Sequence, residues 1–113
     1  MNIVMLSGRV GRPFKRNGNV GEFSLATKEA EKDERGQWIE VTEWHTVKVL
    51  GAAVCDAAEK FFVKGACLNV QGRLKTEQWT DADGCNHTWT KIYMQTWEFC
   101  PFTNRNQEGG HGI

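Results

Sequence analysis

No charge excess advertises a partner: 14 basic and 14 acidic side chains leave this 113-residue chain formally neutral. Any surface for a polyanion must therefore come from local clustering of cations, because the overall balance supplies none. No apolar run approaches the roughly 18 residues of a membrane helix. The apolar start Ile3-Val4-Met5-Leu6 is too short for a signal h-region and lacks a basic flank, so a reducing cytoplasm is the expected setting. Cys55, Cys67, Cys85 and Cys100 include no C-x-x-C pair, and neither His87 nor His111 stands at a ligand spacing from them. Zinc and other metals are therefore not expected. An even cysteine count permits two disulfides, but the expected compartment argues for free thiols, with Cys55 and Cys67 as small core residues. No Ser/His/Asp set, carboxylate pair or phosphate loop appears at a recognisable spacing, so neither an enzyme nor a cofactor is expected.

What is present begins with one strand. From Trp38 to Leu50 the odd positions Ile39, Val41, Val47 and Val49 form an aliphatic row interrupted by Glu43 and His45. The even positions Trp38, Glu40, Thr42, Trp44, Thr46, Lys48 and Leu50 mix indole, hydroxyl and ammonium. Side chains alternate faces along a strand, so one row can pack a core while the other stays wet. Indoles and a lysine on a wet face suit stacked bases and neutralised phosphates. Charge is also unevenly placed. Arg9, Arg12, Lys15 and Arg16 form a basic stretch with no acid between them, whereas six acids lie from Glu29 to Glu43.

The chain is long enough for one domain with a modest core. Ile3 to Val10 reads as a strand, ended by Gly11-Arg12-Pro13. Val20 to Lys28 comes after the Asn17-Gly18-Asn19 turn, and Glu29 to Gly36 reads as a charged loop. After the long strand, Ala52 to Lys64 carries Val54, Ala57, Ala58, Phe61 and Phe62 at helical spacing, with Gly65 as the terminating glycine. Cys67 to Trp79 returns to period two, with Leu68, Val70, Gly72 and Leu74 on one face and Arg73, Lys75 and Trp79 on the other. Asp81-Ala82-Asp83-Gly84 makes a hairpin tip, and His87 to Phe99 is the last strand. The predicted fold is all-β, a five-stranded OB barrel with one helix between strands three and four. A three-strand meander with a helix-linked hairpin also satisfies the pattern. Residues 1–102 form this domain, and residues 103–113 a loose polar tail.

Several segments then look familiar in order. Asn2-Ile3-Val4-Met5-Leu6-Ser7-Gly8-Arg9, Phe23-Ser24-Leu25-Ala26-Thr27, Thr42-Glu43-Trp44-His45, Lys64-Gly65, Gln71-Gly72-Arg73-Leu74 and Trp79-Thr80-Asp81 with Gly84 beyond it resemble bacterial single-stranded DNA-binding proteins. The resemblance runs across about residues 2 to 96. It implies an OB-fold subunit, usually a homotetramer, that wraps single-stranded DNA without sequence preference. Trp44 and Trp79 match that family's base-stacking tryptophans, His45 a histidine near a subunit interface, and Ile3 to Ser7 (with Met5 between them) the segment through which subunits pair. Three departures stand out. Glu29-Ala30-Glu31-Lys32 lacks an aromatic stacker found in many members, and Leu50 replaces a phenylalanine. After Phe102 only Glu108 is acidic, so the acidic tip through which the family recruits replication and repair proteins is not expected to operate.

Each candidate has a plainer structural reading. Trp44 and Trp79 can simply cover the barrel, but their wet strand faces favour stacking, and Trp38 is balanced between stacking and packing on a loop. Trp89, Tyr93, Trp97 and Phe99 share one parity, which reads mainly as core or subunit interface, with Trp89 the member best placed for DNA. Lys48, Arg73 and Lys75 extend the proposed binding face, and Arg9, Arg12 and Lys15 form either a phosphate-contacting turn or a solvated one. The expected function is sequence-independent binding and protection of single-stranded DNA in replication, recombination or repair. The competing reading is a dimeric OB-fold accessory protein acting mainly as a protein adaptor.

Overall fold

The computed structural model describes residues 1–101; the expected tail at 103–113 lies outside the described residues. Among the described residues, six strands and one helix occur in the order β1 (Val4–Val10), β2 (Lys15–Asn17), β3 (Val20–Lys32), β4 (Trp38–Leu50), α1 (Ala52–Phe61), β5 (Cys67–Thr80) and β6 (Asn86–Phe99). The sheet runs β1-β5-β6-β4-β3, and β1 returns to β3 through Arg9↔Ala26 and Val10↔Leu25. That last pairing closes a five-stranded barrel. All its seams are antiparallel except β4–β6, where Val47↔Ile92 and Lys48↔Tyr93 are parallel. The expected OB barrel is therefore present. The extra short strand β2, paired on β3, places the helix between the fourth and fifth strands in chain order.

The barrel interior is set by strand parity. Phe23, Leu25, Val47, Val49, Leu68, Val70 and Ile92 point inward and are buried, with α1 contributing Cys55 and Ala58 and the next residue, Phe62, closing one end. Phe62 packs its ring against Phe14, Phe23 and Trp97 at centroid distances of 6.5, 4.9 and 4.9 Å. Burying such a ring is worth roughly 1.5–3 kcal/mol. The aromatic cluster therefore anchors the helix to the barrel.

The charged loop is shorter than expected, because Glu29 to Lys32 continue β3 in register with Trp38 to Val41. These residues form a hairpin arm beyond the barrel, and Ile39 is exposed there because the arm has no core beneath it. The helix stops at Phe61 rather than Lys64. Phe62 turns into the core, and Gly65 serves the next turn, donating its N–H to the Val10 carbonyl. Leu74 is exposed too, lying where the β5–β6 hairpin leaves the barrel.

The expectation of free thiols also fails, since Cys67 and Cys100 form a disulfide. Leu68 pairs with Phe99 across the β5–β6 ladder, so Cys67 and Cys100 are the next opposed pair, with Cα atoms 5.4 Å apart. That separation is within the normal range for a disulfide. Cys55 is buried as expected, and Cys85 is a free, exposed thiol on the hairpin. Among the described residues no helix is long and apolar enough to cross a membrane.

Candidate nucleic-acid interface

The barrel's outer face is assembled from three ladders. Even positions of β3 and β4 project outward, so Glu22 stands opposite Lys48, Ser24 opposite Thr46 and Ala26 opposite Trp44. On β5 and β6 the outward pairs are Arg73↔Tyr93, Lys75↔Lys91, Glu77↔Trp89 and Trp79↔His87. The parallel seam places Lys48 beside Tyr93 and joins the two halves. One continuous surface thus runs from Trp44 across Lys48 and Tyr93 to Trp79.

Trp44 is 64% exposed yet does not swing freely. Its ring lies over Gly11 and Ser24, and a Cβ on Gly11 would overlap the indole. Any side chain at position 11 has to push the indole aside. Ser24 is buried beneath, and its hydroxyl accepts the Arg12 backbone N–H at 2.7 Å. Arg12, Trp44, Thr46 and Lys64 surround a groove of about 420 Å³ at this end.

At the centre, Glu77 gathers three donors. Lys48 Nζ is 3.0 Å from its carboxylate, Lys91 Nζ 3.1 Å, and the Tyr93 hydroxyl donates to the same oxygen as Lys48. Lys91, only 10% exposed, also pairs with Glu22. The Tyr93 hydroxyl, then the lysines, pull the Glu77 carboxyl down to about 2 from 4.5. Lys48 is raised by its bond to Glu77. For Lys91, desolvation acts downward, but bonds to Glu22 and Glu77 outweigh it and leave the ammonium raised. Both lysines are charged and already paired. Lys48, Arg73 and Lys75 also surround the Tyr93 ring, 5.4, 5.8 and 5.0 Å from its centroid.

The far end is aromatic. Trp79 and Trp89 are 46% and 45% exposed, with centroids 6.4 Å apart, and Lys91 lies 4.8 Å from the Trp89 ring. Trp38 sits separately near the tip of the β3–β4 arm, where Lys32 lies 5.2 Å from its ring. Lys15 opposes Glu22 on the β2–β3 ladder and borders, with Arg12 and Lys48, a groove of about 830 Å³. Arg9 is tethered to the Gly65 carbonyl at 2.9 Å. Arg16 turns away from this surface to bond Asp56 and Glu59 on α1.

The last strand's shared parity misleads. At Gln71/Gly72 the register skips a residue, because Gln71 faces Thr96 while Gly72 faces Met94. Gln95 is the extra residue, and a bulge of this kind reverses the facing of the residues beyond it. Trp89 and Tyr93 therefore lie outside, whereas Trp97 and Phe99 pack with Phe61 on the other side. Tyr93, Lys91 and Glu22 were not expected on this surface, and Glu77, on the parity of Arg73, Lys75 and Trp79, was not expected to pair with Lys48 and Lys91. Lys91, sharing parity with Trp89 and Tyr93, was the available signal against a core stripe.

The remaining candidates lie elsewhere. His45 shares a 2.8 Å hydrogen bond with Thr27 on the inward-parity row. Met5 and Ser7 face out from β1, opposite Gln71 and Asn69. Ile3 and Met5 are 55% and 74% exposed.

Known proteins resemble this chain in sequence and in fold. Residues 1–100 match the model of the single-strand binding protein family. The chain is 32% identical over 118 residues to a single-stranded DNA-binding protein of Rhizobium meliloti, covering 99% of this chain and 67% of that one. It is 32% identical over 124 residues to the protein of the same description from Rickettsia conorii, covering 98% and 82% respectively. Among solved structures, the Plasmodium falciparum SSB complex with ssDNA superposes with a TM-score of 0.78 at 31% identity, over 88% of this chain and 95% of that one.

Proposed function

The chain belongs to the single-strand binding protein family, and on that premise we propose that its outer barrel face holds single-stranded DNA without regard to sequence. The protein binds single-stranded DNA. The observation that carries the site is the continuous surface joining Trp44, the cations around Tyr93, and Trp79 with Trp89. Bases stack on the exposed indoles, which every base can do through its π-face, while Arg73, Lys75, Lys15 and Arg12 meet phosphates and Lys48 lies among them held by Glu77. Trp38 extends the path along the arm, and Arg9 lies at its margin. The protein protects the strand during replication, recombination or repair.

Trp44→Ala and Trp79→Ala test this assignment by anisotropy with labelled oligo-dT. Stacking is worth about 1–3 kcal/mol per base, so each should weaken binding about 5- to 150-fold. Two folded variants with wild-type affinity would move the site elsewhere.

Self-association fits the same reading. From Val4 to Gly8, β1 is paired by β5 alone among the described residues, because β3 reaches it only at Arg9 and Val10. An open strand edge with exposed Ile3 and Met5 is a template for pairing with another copy. A homotetramer, or a homodimer through β1, is the expected assembly, with His45 near the interface. Sedimentation as a monomer at micromolar concentration would overturn it.

A further inference from the structure

The β5–β6 hairpin tip carries an arrangement that base stacking alone does not require. His87 is the cross-strand partner of Trp79, and the two rings stack with centroids 5.0 Å apart and planes inclined by 20°. The imidazole is fixed at its edge, with Nε2 lying 2.7 Å from Asp81 Oδ2. Asp81 is fixed in turn, because its other oxygen accepts the backbone N–H groups of Asp83 and Cys85, each at 2.9 Å. Thr80 donates to Asn86 at 2.8 Å across the same rungs. A side chain at the end of an exposed hairpin is thereby tied to the turn through two others.

We propose that His87 is a positioning residue for single-stranded DNA binding: held by Asp81, it covers one face of Trp79 and presents the other face, already oriented, to a base. This rests on the reading of the outer face as the DNA site. An unrestrained indole on an exposed strand loses rotamer freedom when a base stacks on it, and that loss is subtracted from affinity. A ring already packed against Trp79 removes most of it beforehand. Trp89, 6.4 Å from Trp79, continues the surface toward Lys91. The tip therefore acts as a prepared stacking platform.

The test compares His87→Ala, His87→Phe and the double variant Trp79→Ala/His87→Ala, each checked for folding by circular dichroism, in oligo-dT titrations. His87→Ala should weaken binding about two- to tenfold. His87→Phe, which keeps a ring on Trp79 without needing Asp81, should recover most of that loss. The double variant should bind no more weakly than Trp79→Ala alone, since His87 acts only through Trp79. Wild-type affinity in His87→Ala, or His87→Phe no better than alanine, overturns the proposal. So does a full additional loss in the double variant, which would make His87 an independent contact. Failure of the wild-type protein to bind oligo-dT would overturn the underlying reading as well, and is distinguishable because it precedes any variant.

Discussion

Replacing Glu77 with glutamine should move stability and DNA affinity in opposite directions. The carboxylate accepts from Lys48, Lys91 and Tyr93, and these donors hold its pKa at about 2 instead of 4.5. A shift of that size corresponds to at most about 3 kcal/mol at 1.36 kcal/mol per unit. The side chain is 26% exposed, so solvent screening reduces the expected contribution to about 2 kcal/mol. Glu77→Gln should therefore lower the melting temperature by roughly 10 °C near neutral pH. A carboxylate depressed in the folded state stabilises above its unfolded pKa and ceases to do so as pH falls through its folded one. The difference between wild type and variant should thus be full at pH 7 and shrink between about 4.5 and 2. On the DNA side, the variant frees Lys48, while Lys91 keeps Glu22. One more available cation should steepen the salt dependence of single-strand binding by about 0.7 in log–log slope and tighten binding at low salt. Thermal melts across pH and anisotropy titrations at several salt concentrations read both effects. An unchanged melting temperature, or weaker binding with an unchanged salt slope, would refute the role given to this carboxylate.

Two further outcomes test the packing. Gly11→Val should displace Trp44, because the new Cβ overlaps the indole, and should weaken oligo-dT binding toward the Trp44→Ala level while leaving the core intact. Opening the Cys67–Cys100 bond with reductant, or by Cys67→Ser, removes a link across 33 positions and should destabilise the fold by about 3 kcal/mol in urea unfolding, with DNA affinity retained. Identical unfolding midpoints with and without reductant would count against the bond's role.

The barrel was legible in the sequence wherever a strand covers the core. Val47 and Val49 are buried and Trp44 faces out, as their alternation in β4 requires. Beyond the barrel the same alternation continues without a core, so Ile39 and Leu74 looked buried and are not. The bulge at Gln95 depends on how β6 meets β5, which no pattern within β6 contains. The pairing of Lys48 and Lys91 with Glu22 and Glu77 joins residues up to 69 positions apart, and only closure of the sheet brings them together. Cys67 and Cys100 likewise became partners through register, not spacing. For the binding face, the tryptophans and cations could be nominated from residue type and parity. The pairing of those cations with Glu22 and Glu77, and the His87 ring on Trp79, could not.

The most direct measurement is intrinsic tryptophan fluorescence during titration with poly-dT at two salt concentrations. Trp44, Trp79 and Trp89 are exposed on the surface assigned to DNA. Strong, saturable quenching is expected, with an affinity that falls as salt rises, because bases cover the indoles and phosphates release counter-ions. Binding that leaves the tryptophan emission unchanged, or no binding at low salt, would contradict it.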